Sequence, residues 1–195
     1  TESRQVFSDS TEGWIYYTDM RFAPDSDILM FHSERDGWNH LYTVNADGSD
    51  FRQITNGAYE VPWAEWLDDR NIIFASTEED PGERHLRKLN LKSGKTTKLT
   101  SREGYRKAFH LSRDKNTVVY EFSYFNEPGD LYAIQVNVAG KEQRLTHSTP
   151  ELFQEISWQT PDYIRFIGHD GETELSMTVL KPEIVDPSVK NPVVV

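Results

Sequence analysis

A repeat of about 45 residues, found three times between residues 20 and 146, constrains the fold more than any other feature of the sequence. Leu41, Leu86 and Leu131 stand 45 residues apart, and each unit closes on an Ile-Thr or Leu-Thr pair, at residues 54–55, 99–100 and 145–146. A repeat of this length that contains short strands and no long helix is typical of a propeller blade. The sequence therefore predicts an all-β partial β-propeller of about three four-stranded antiparallel blades.

Four short strand-like runs make up each unit, and turn signals such as Asn-Ala-Asp-Gly at residues 45–48 separate them. The second run of each unit is continuously apolar, as expected when neighbouring blades cover both faces of a sheet. Phe22, Trp66 and Phe109 recur on the first runs, and we interpret them as core residues rather than as a ligand-binding box. The predicted strands are residues 20–22, 28–33, 41–45 and 51–55, then 63–66, 72–74, 86–90 and 96–100, then 108–110, 118–120, 131–136 and 143–146.

The repeat stops after Thr146, and the remaining sequence has a different pattern. Candidate strands at residues 164–167 and 175–180 flank an Asp-Gly turn, and three prolines punctuate the segment that follows. We therefore predict a partial propeller over residues 1–150 and a second, incomplete domain over residues 151–195. Because the chain begins and ends within strand-like runs, we expect it to be a piece of a longer protein.

Composition and charge exclude several classes of function. The net charge of −11 and the lack of a Lys/Arg cluster argue against nucleic acid or an anionic membrane surface as a partner. No apolar run is long enough to span a bilayer. Without cysteine the chain has no disulfide and no thiolate site, so its compartment stays open. The six histidines lack the His-Glu-x-x-His spacing, and no Gly-x-Ser-x-Gly occurs, so we predict no metal, no cofactor and no catalytic residue.

The most polar loop candidate lies in residues 33–42, Ser-Glu-Arg-Asp-Gly-Trp-Asn-His-Leu-Tyr. It contains Arg35, Asp36, Trp38 and His40, and a short connection can fold Asp36 back toward His40. One interpretation is a charged group offered to a peptide or to a domain interface. The other is a structural loop pinned by hydrogen bonds of Asp36 and His40, and we favour it because polar loop residues commonly satisfy the local backbone.

Several segments, taken in order and spacing, resemble a known family. They are residues 14–22, 33–42, 54–61, 76–80, 84–86 and 123–128. Together they resemble the propeller of the dipeptidyl peptidase IV branch of the prolyl oligopeptidase family of serine peptidases. Residues 166–175, with Lys-Pro at 181–182 and residues 186–195, are similar to the lead-in to that family's α/β-hydrolase domain. The resemblance thus covers almost the whole chain.

The resemblance implies a parent enzyme that removes dipeptides from peptide N-termini, with an eight-bladed propeller over the hydrolase domain. It implies that the Ser-Asp-His triad lies downstream of residue 195 and that the glutamate pair for the substrate amine lies upstream of residue 1. Glu78 and Glu79 stand in a loop of a late blade, so they are not assigned that role. The chain would then be a non-catalytic fragment whose partners are the remaining blades, the hydrolase domain and, in the parent, a peptide substrate. The family favours a periplasmic or secreted location, and a cytoplasmic one stays open.

The alternative is a stand-alone propeller of the TolB-like kind that serves as a protein- or peptide-binding module. Its repeats share the Pro-Asp turn, the Arg-Asp-Gly loop, the Leu-Tyr strand and the Leu-Thr ending. The segment at residues 166–182 favours the peptidase, because a TolB-like array does not require it. For a fragment, we also expect self-association, or folding of the tail over an open blade face, since exposed apolar faces and unpaired strands recruit partners.

Overall fold

The computed structural model describes residues 3–8, 10, 12–14, 17–181, 188 and 190. The predicted features at residues 15–16, 182–187 and 191–195 lie outside these residues, among them the last apolar run of the sequence. The chain divides into two compact units, Thr1–Tyr124 with Gly129–Ser148, and Phe125–Pro128 with Thr149–Val195. The predicted domain limits at residues 150 and 151 stay a prediction.

Within the described residues of the first unit, the strands form three four-stranded sheets, each with its strands in chain order. This arrangement confirms the nearly all-β fold and the partial propeller with antiparallel blades. The first sheet contains β1 (Tyr17–Phe22), β2 (Ile28–Ser33), β3 (His40–Asn45) and β4 (Arg52–Gln53). The second contains β5 (Trp63–Asp68), β6 (Asn71–Ser76), β7 (His85–Asn90) and β8 (Thr96–Lys98). The third contains β9 (Tyr105–Leu111), β10 (Thr117–Tyr124), β11 (Glu127–Gln135) and β12 (Glu142–Arg144).

Glycines at equivalent places close the turns between the third and fourth strands. Gly48 has a φ of 81° and donates to the Asn45 carbonyl at 2.8 Å, and Gly94 has a φ of 69° and donates to the Asn90 carbonyl at 2.9 Å. A positive φ is costly for residues with a Cβ atom, so glycine stands at these points. The turn signals that separate the strands in the sequence therefore correspond to turns in the structure.

The second sheet supplies side chains to two hydrophobic clusters, one on each face. Ile72 and Phe74 belong to the cluster shared with the first sheet, and Ile73 and Ala75 belong to the cluster shared with the third. All four side chains are buried, which explains why β6 is continuously apolar.

The third sheet differs from the prediction of a continuously apolar second strand. On β10 the burial alternates, with Val118 and Tyr120 buried and Val119 partly exposed between them. Leu131, on β11, is 44% exposed, and Leu145, which directly follows β12, is 45% exposed. One face of the third sheet therefore contributes to the clusters of the first unit, and its other face is partly exposed. The expected self-association of the chain stays a prediction.

The prediction that Phe22 is a core residue is wrong. Trp66 and Phe109 are buried as expected, but Phe22 is 55% exposed. The register of β1 against β2 shifts between Thr18 and Arg21, and Asp19 in this interval has a φ of 53°. β9 has a similar shift next to Ala108, and Phe109 is buried there, so the bulge is not the cause. Phe22 pairs with Leu29, whose cluster contains no residue of the second or third sheet, whereas Trp66 and Phe109 lie in clusters shared with a neighbouring sheet.

The described part of the second unit contains a short helix and a hairpin. The helix α1 covers Glu151–Gln154, a turn that the sequence did not predict. Strands β13 (Asp162–Ile167) and β14 (Glu174–Val179) pair in antiparallel fashion and coincide with the two candidate strands. The assignment of this segment to the start of a hydrolase domain stays a prediction.

Candidate functional site

His40, at the start of β3, is fully buried and uses both of its ring nitrogens. Its Nε2 lies 3.0 Å from the Gly57 carbonyl oxygen, and its Nδ1 lies 3.0 Å from Thr55 Oγ1. Because a carbonyl oxygen only accepts, Nε2 carries the proton and Nδ1 accepts from the Thr55 hydroxyl. Thr55 Oγ1 in turn accepts from the Leu41 backbone N–H at 3.0 Å. The ring of His40 thereby joins the third strand of the sheet to the segment that follows the fourth.

Asp36 lies near His40 but makes its hydrogen bonds elsewhere. Its Oδ2 is 3.9 Å from His40 Nε2, which is beyond hydrogen-bond distance. The carboxylate accepts from the Trp38 backbone N–H at 3.3 Å and from the side-chain amide of Gln53. The fold-back of the loop predicted from the sequence is present, but the carboxylate is not bonded to the histidine because Nε2 donates to the Gly57 carbonyl.

The guanidinium of Arg35 lies over three aromatic rings. Its guanidinium carbon lies 4.5 Å, 5.0 Å and 4.7 Å from the ring centroids of Phe7, Tyr42 and Phe51. Phe7 and Phe51 also stack, with centroids 5.2 Å apart. A cation over several rings is attracted by their quadrupoles. In the same loop, the Trp38 side chain is 40% exposed. A structural role for these loop residues stays a prediction.

The hydrogen bond between His40 and the Thr55 hydroxyl has an equivalent in each of the other two sheets. In the second sheet, His85 Nδ1 lies 3.1 Å from Thr100 Oγ1, which accepts from the Leu86 N–H at 3.0 Å. His85 Nε2 lies 2.8 Å from a Glu83 carboxylate oxygen, so it is again the protonated nitrogen. We call this arrangement the blade latch; it consists of His40 with Thr55, His85 with Thr100, and Asp130 with Thr146.

In the third sheet an aspartate takes the place of the histidine. The Thr146 hydroxyl donates to Asp130 Oδ1 at 2.6 Å, and Thr146 Oγ1 accepts from the Leu131 N–H at 2.9 Å. The hydrogen bond from Thr146, together with the Arg144 guanidinium, holds the pKa of the Asp130 carboxyl well below its usual value. Asp130 is therefore ionised at neutral pH and is not suited to take up or release a proton.

Sequence reasoning missed the blade latch, although the signal was present. His40, His85 and Asp130 stand 45 residues apart, each directly before the leucine of its repeat. The closing threonines were recognised as markers of the repeat but not as partners of these residues.

Glu78 and Glu79, in the loop between β6 and β7, form an ion-pair cluster. Glu78 lies 3.1 Å from Arg87 Nε, and Glu79 contacts both Arg87 and Lys98, the latter at 3.1 Å. The charges of Glu78 and Glu79 are thus balanced by Arg87 and Lys98, which belong to the same sheet. These contacts agree with leaving the two residues without a role in binding a substrate amine.

Neither a metal centre nor a membrane span is evident in the part of the chain that the structure describes. No group of three or more His, Cys, Asp or Glu side chains could hold a metal ion among those residues. Likewise, none of their helices has the length and apolar character needed to cross a membrane.

Comparison with known proteins gives a match to a protein family and matches to solved structures. The family of the dipeptidyl peptidase IV N-terminal region matches residues 1–129. The fold is similar to that in the crystal structure of Porphyromonas gingivalis dipeptidyl peptidase 4, with a TM-score of 0.71 and 22% sequence identity over 87% of this chain. The chain spans 24% of the length of that protein. At this identity the structural match shows a shared fold.

Proposed function

The chain belongs to the family of the dipeptidyl peptidase IV N-terminal region, and from this premise we propose that it is the non-catalytic propeller part of a serine exopeptidase. In this proposal the parent enzyme removes dipeptides from the N-termini of peptides. The observation that carries the proposal is the family match over residues 1–129, which covers the first two blade-like sheets and the first two strands of the third. The propeller would act as a scaffold and gate that limits the size of the substrate.

The chemistry of the chain supports the non-catalytic part of the proposal. A serine hydrolase of this family needs a nucleophile on a strained elbow and a histidine that takes its proton. The sequence has no Gly-x-Ser-x-Gly. His40 and His85 engage both ring nitrogens in the blade latch, so neither of them is placed to activate a nucleophile. An acyl intermediate requires both groups.

We further propose that the partners of this chain are the remaining propeller blades, the hydrolase domain and a peptide substrate held by the parent enzyme. The partly exposed face of the third sheet, with Leu131 and Leu145, supports an apolar contact on that side, because propeller blades pack through such faces.

A labelling experiment tests the non-catalytic role. The purified chain is incubated with chromogenic Xaa-Pro and Xaa-Ala dipeptidyl substrates and, separately, with a fluorescent serine-directed phosphonate. We expect no release of chromophore above the buffer rate and no labelled band, while an active dipeptidyl peptidase under the same conditions gives both. Stoichiometric labelling of the chain would show that it carries its own nucleophile.

Translation of the gene beyond the codon for Val195 tests the assignment to a parent peptidase. We expect an open reading frame with a Gly-x-Ser-x-Gly elbow followed by an aspartate and a histidine. A stop codon at this point, or a continuation without these residues, would contradict the peptidase and favour the TolB-like binding propeller instead.

A further inference from the structure

A cavity of about 280 Å³ lies within the first unit, where the first strands of the three sheets approach each other. Arg21 and Phe22 of β1 line it, together with Glu65 and Trp66 of β5. The turn between β9 and β10 adds Arg113 and Lys115. Residues far apart in the sequence therefore bring three cations, one carboxylate and two aromatic rings to one place.

The charges in this cavity do not cancel. Arg21 and Glu65 form an ion pair with each other. Arg113 and Lys115, within the described part of the chain, have no ion-pair or hydrogen-bond partner for their side chains. The lining thus carries a net charge of two positive units in a chain whose net charge is −11. An anion is the natural counter-charge for such a lining.

Asp114, in the turn between β9 and β10, forms its hydrogen bonds within that turn. Asp114 accepts from the Ser112 hydroxyl at 2.6 Å and from the Asn116 N–H at 3.2 Å. The Lys115 N–H donates to the Ser112 carbonyl at 2.9 Å, which fixes the turn that carries Arg113 and Lys115. The carboxylate of Asp114 offsets one of the two unpaired charges and leaves the cavity positive.

Two aromatic rings contribute to the apolar part of the cavity, together with Pro24 and Leu111. Phe22 is 55% exposed, and the indole of Trp66 is fixed by its Nε1–H, which donates to the Arg21 carbonyl at 2.9 Å. A charged group beside an exposed ring favours a ligand that has both an anionic and an apolar part, because each part then meets its counterpart.

We propose that this cavity binds a small ligand in which a carboxylate is attached to an aromatic or aliphatic group, such as the free carboxyl end of a peptide. Arg113 and Lys115 form ion pairs with the carboxylate of the ligand, and the ring of Phe22 contacts its apolar group. The proposal rests on the cavity itself, so a failure of the peptidase assignment leaves it untouched.

A second groove, at the rim between the second and third sheets, supplies a matched control. It is lined by Lys88 and Lys95, but Lys88 Nζ already donates to Asn137 Oδ1 at 2.8 Å, and no aromatic ring lines the groove. A basic residue there has the same charge as Arg113 and Lys115 but no aromatic ring beside it.

Titration of the ¹⁵N-labelled chain by NMR, at constant ionic strength in a phosphate-free buffer, tests the proposal. The three probes are N-acetylphenylalanine, its uncharged amide, and inorganic phosphate. We expect the acid to shift the indole N–H of Trp66 and the amide of Lys115, and to bind at least about tenfold more tightly than either of the other probes. Equal affinity of the acid and the amide refutes the role of the charge, and equal affinity of the acid and phosphate refutes the role of the ring.

Variants then connect the binding to the named residues. Arg113→Gln combined with Lys115→Gln should weaken binding of the acid about tenfold, since each solvent-accessible ion pair contributes a modest amount. Lys95→Gln should leave the affinity unchanged. If the double variant does not fold, Arg113→Gln alone at its exposed position should weaken binding about threefold. An unchanged affinity in the variants, or an equal loss in Lys95→Gln, overturns the proposal.

Discussion

Replacement of Thr100 by valine removes one hydroxyl from the blade latch of the second sheet and keeps the shape of the side chain. Thr100 is 1% exposed, and its Oγ1 lies 3.0 Å from the Leu86 nitrogen and 3.1 Å from His85 Nδ1. The variant leaves a buried N–H donor and a buried ring nitrogen without their partner. Each loss costs about 1 kcal/mol for the bond and up to about 3 kcal/mol when the group stays unsatisfied. We therefore expect the free energy of unfolding to fall by about 2–4 kcal/mol.

Urea denaturation followed by far-UV circular dichroism measures this loss. For a chain of this length, a change of 1 kcal/mol lowers the melting temperature by roughly 2–4 °C, so thermal unfolding should shift by roughly 5–15 °C. Thr55→Val should behave in the same way because Thr55 is also buried. Thr146 is half-buried, so water can replace its hydroxyl and Thr146→Val should cost only about 1 kcal/mol.

The control is Thr97→Val, which makes the same chemical change at an exposed position on β8. Surface substitutions of this kind usually stay within about 0.5 kcal/mol. Thr100→Ser, which keeps the hydroxyl, should recover most of the stability. If Thr100→Val and Thr97→Val unfold at the same urea concentration, the blade latch does not stabilise the sheet and the reasoning fails.

Further substitutions test two other buried polar groups, Arg106 and His32. The Arg106 guanidinium is buried against the Glu142 carboxylate, at 2.8–3.2 Å. Arg106→Met should cost about 3–5 kcal/mol in urea denaturation because a buried charge is left unpaired, and adding Glu142→Met should restore part of it; no recovery would contradict this. Burial lowers the pKa of His32, so the unfolded chain binds a proton more readily than the folded chain as the pH falls below about 6.5. Stability should then fall by up to about 1.4 kcal/mol per pH unit between pH 6.5 and the lowered pKa; an equal slope in His32→Gln would contradict it.

The sequence by itself determined the number and order of the strands. The 45-residue spacing of Leu41, Leu86 and Leu131 and turn signals such as the one that ends in Gly48 predicted three sheets of four strands, and the structure has them. These features are readable because strand alternation and turn chemistry depend on residues close together in the chain. The family relationship was recognised for the same reason, since it resides in the order of such local segments.

Only the tertiary structure decided which side chains meet across sheets and turns. His40 bonds to Thr55, 15 residues away, rather than to Asp36, because the strand pairing brings the threonine to Nδ1 and a carbonyl to Nε2. Phe22 is exposed against the trend of the repeat because it lies on the face of the first sheet whose cluster contains no residue of the other two sheets, and its ring shares a cavity with Arg113, 91 positions along the chain. Such contacts follow from register and sheet packing, and a one-residue shift in register changes the face on which a side chain lies without altering the sequence pattern.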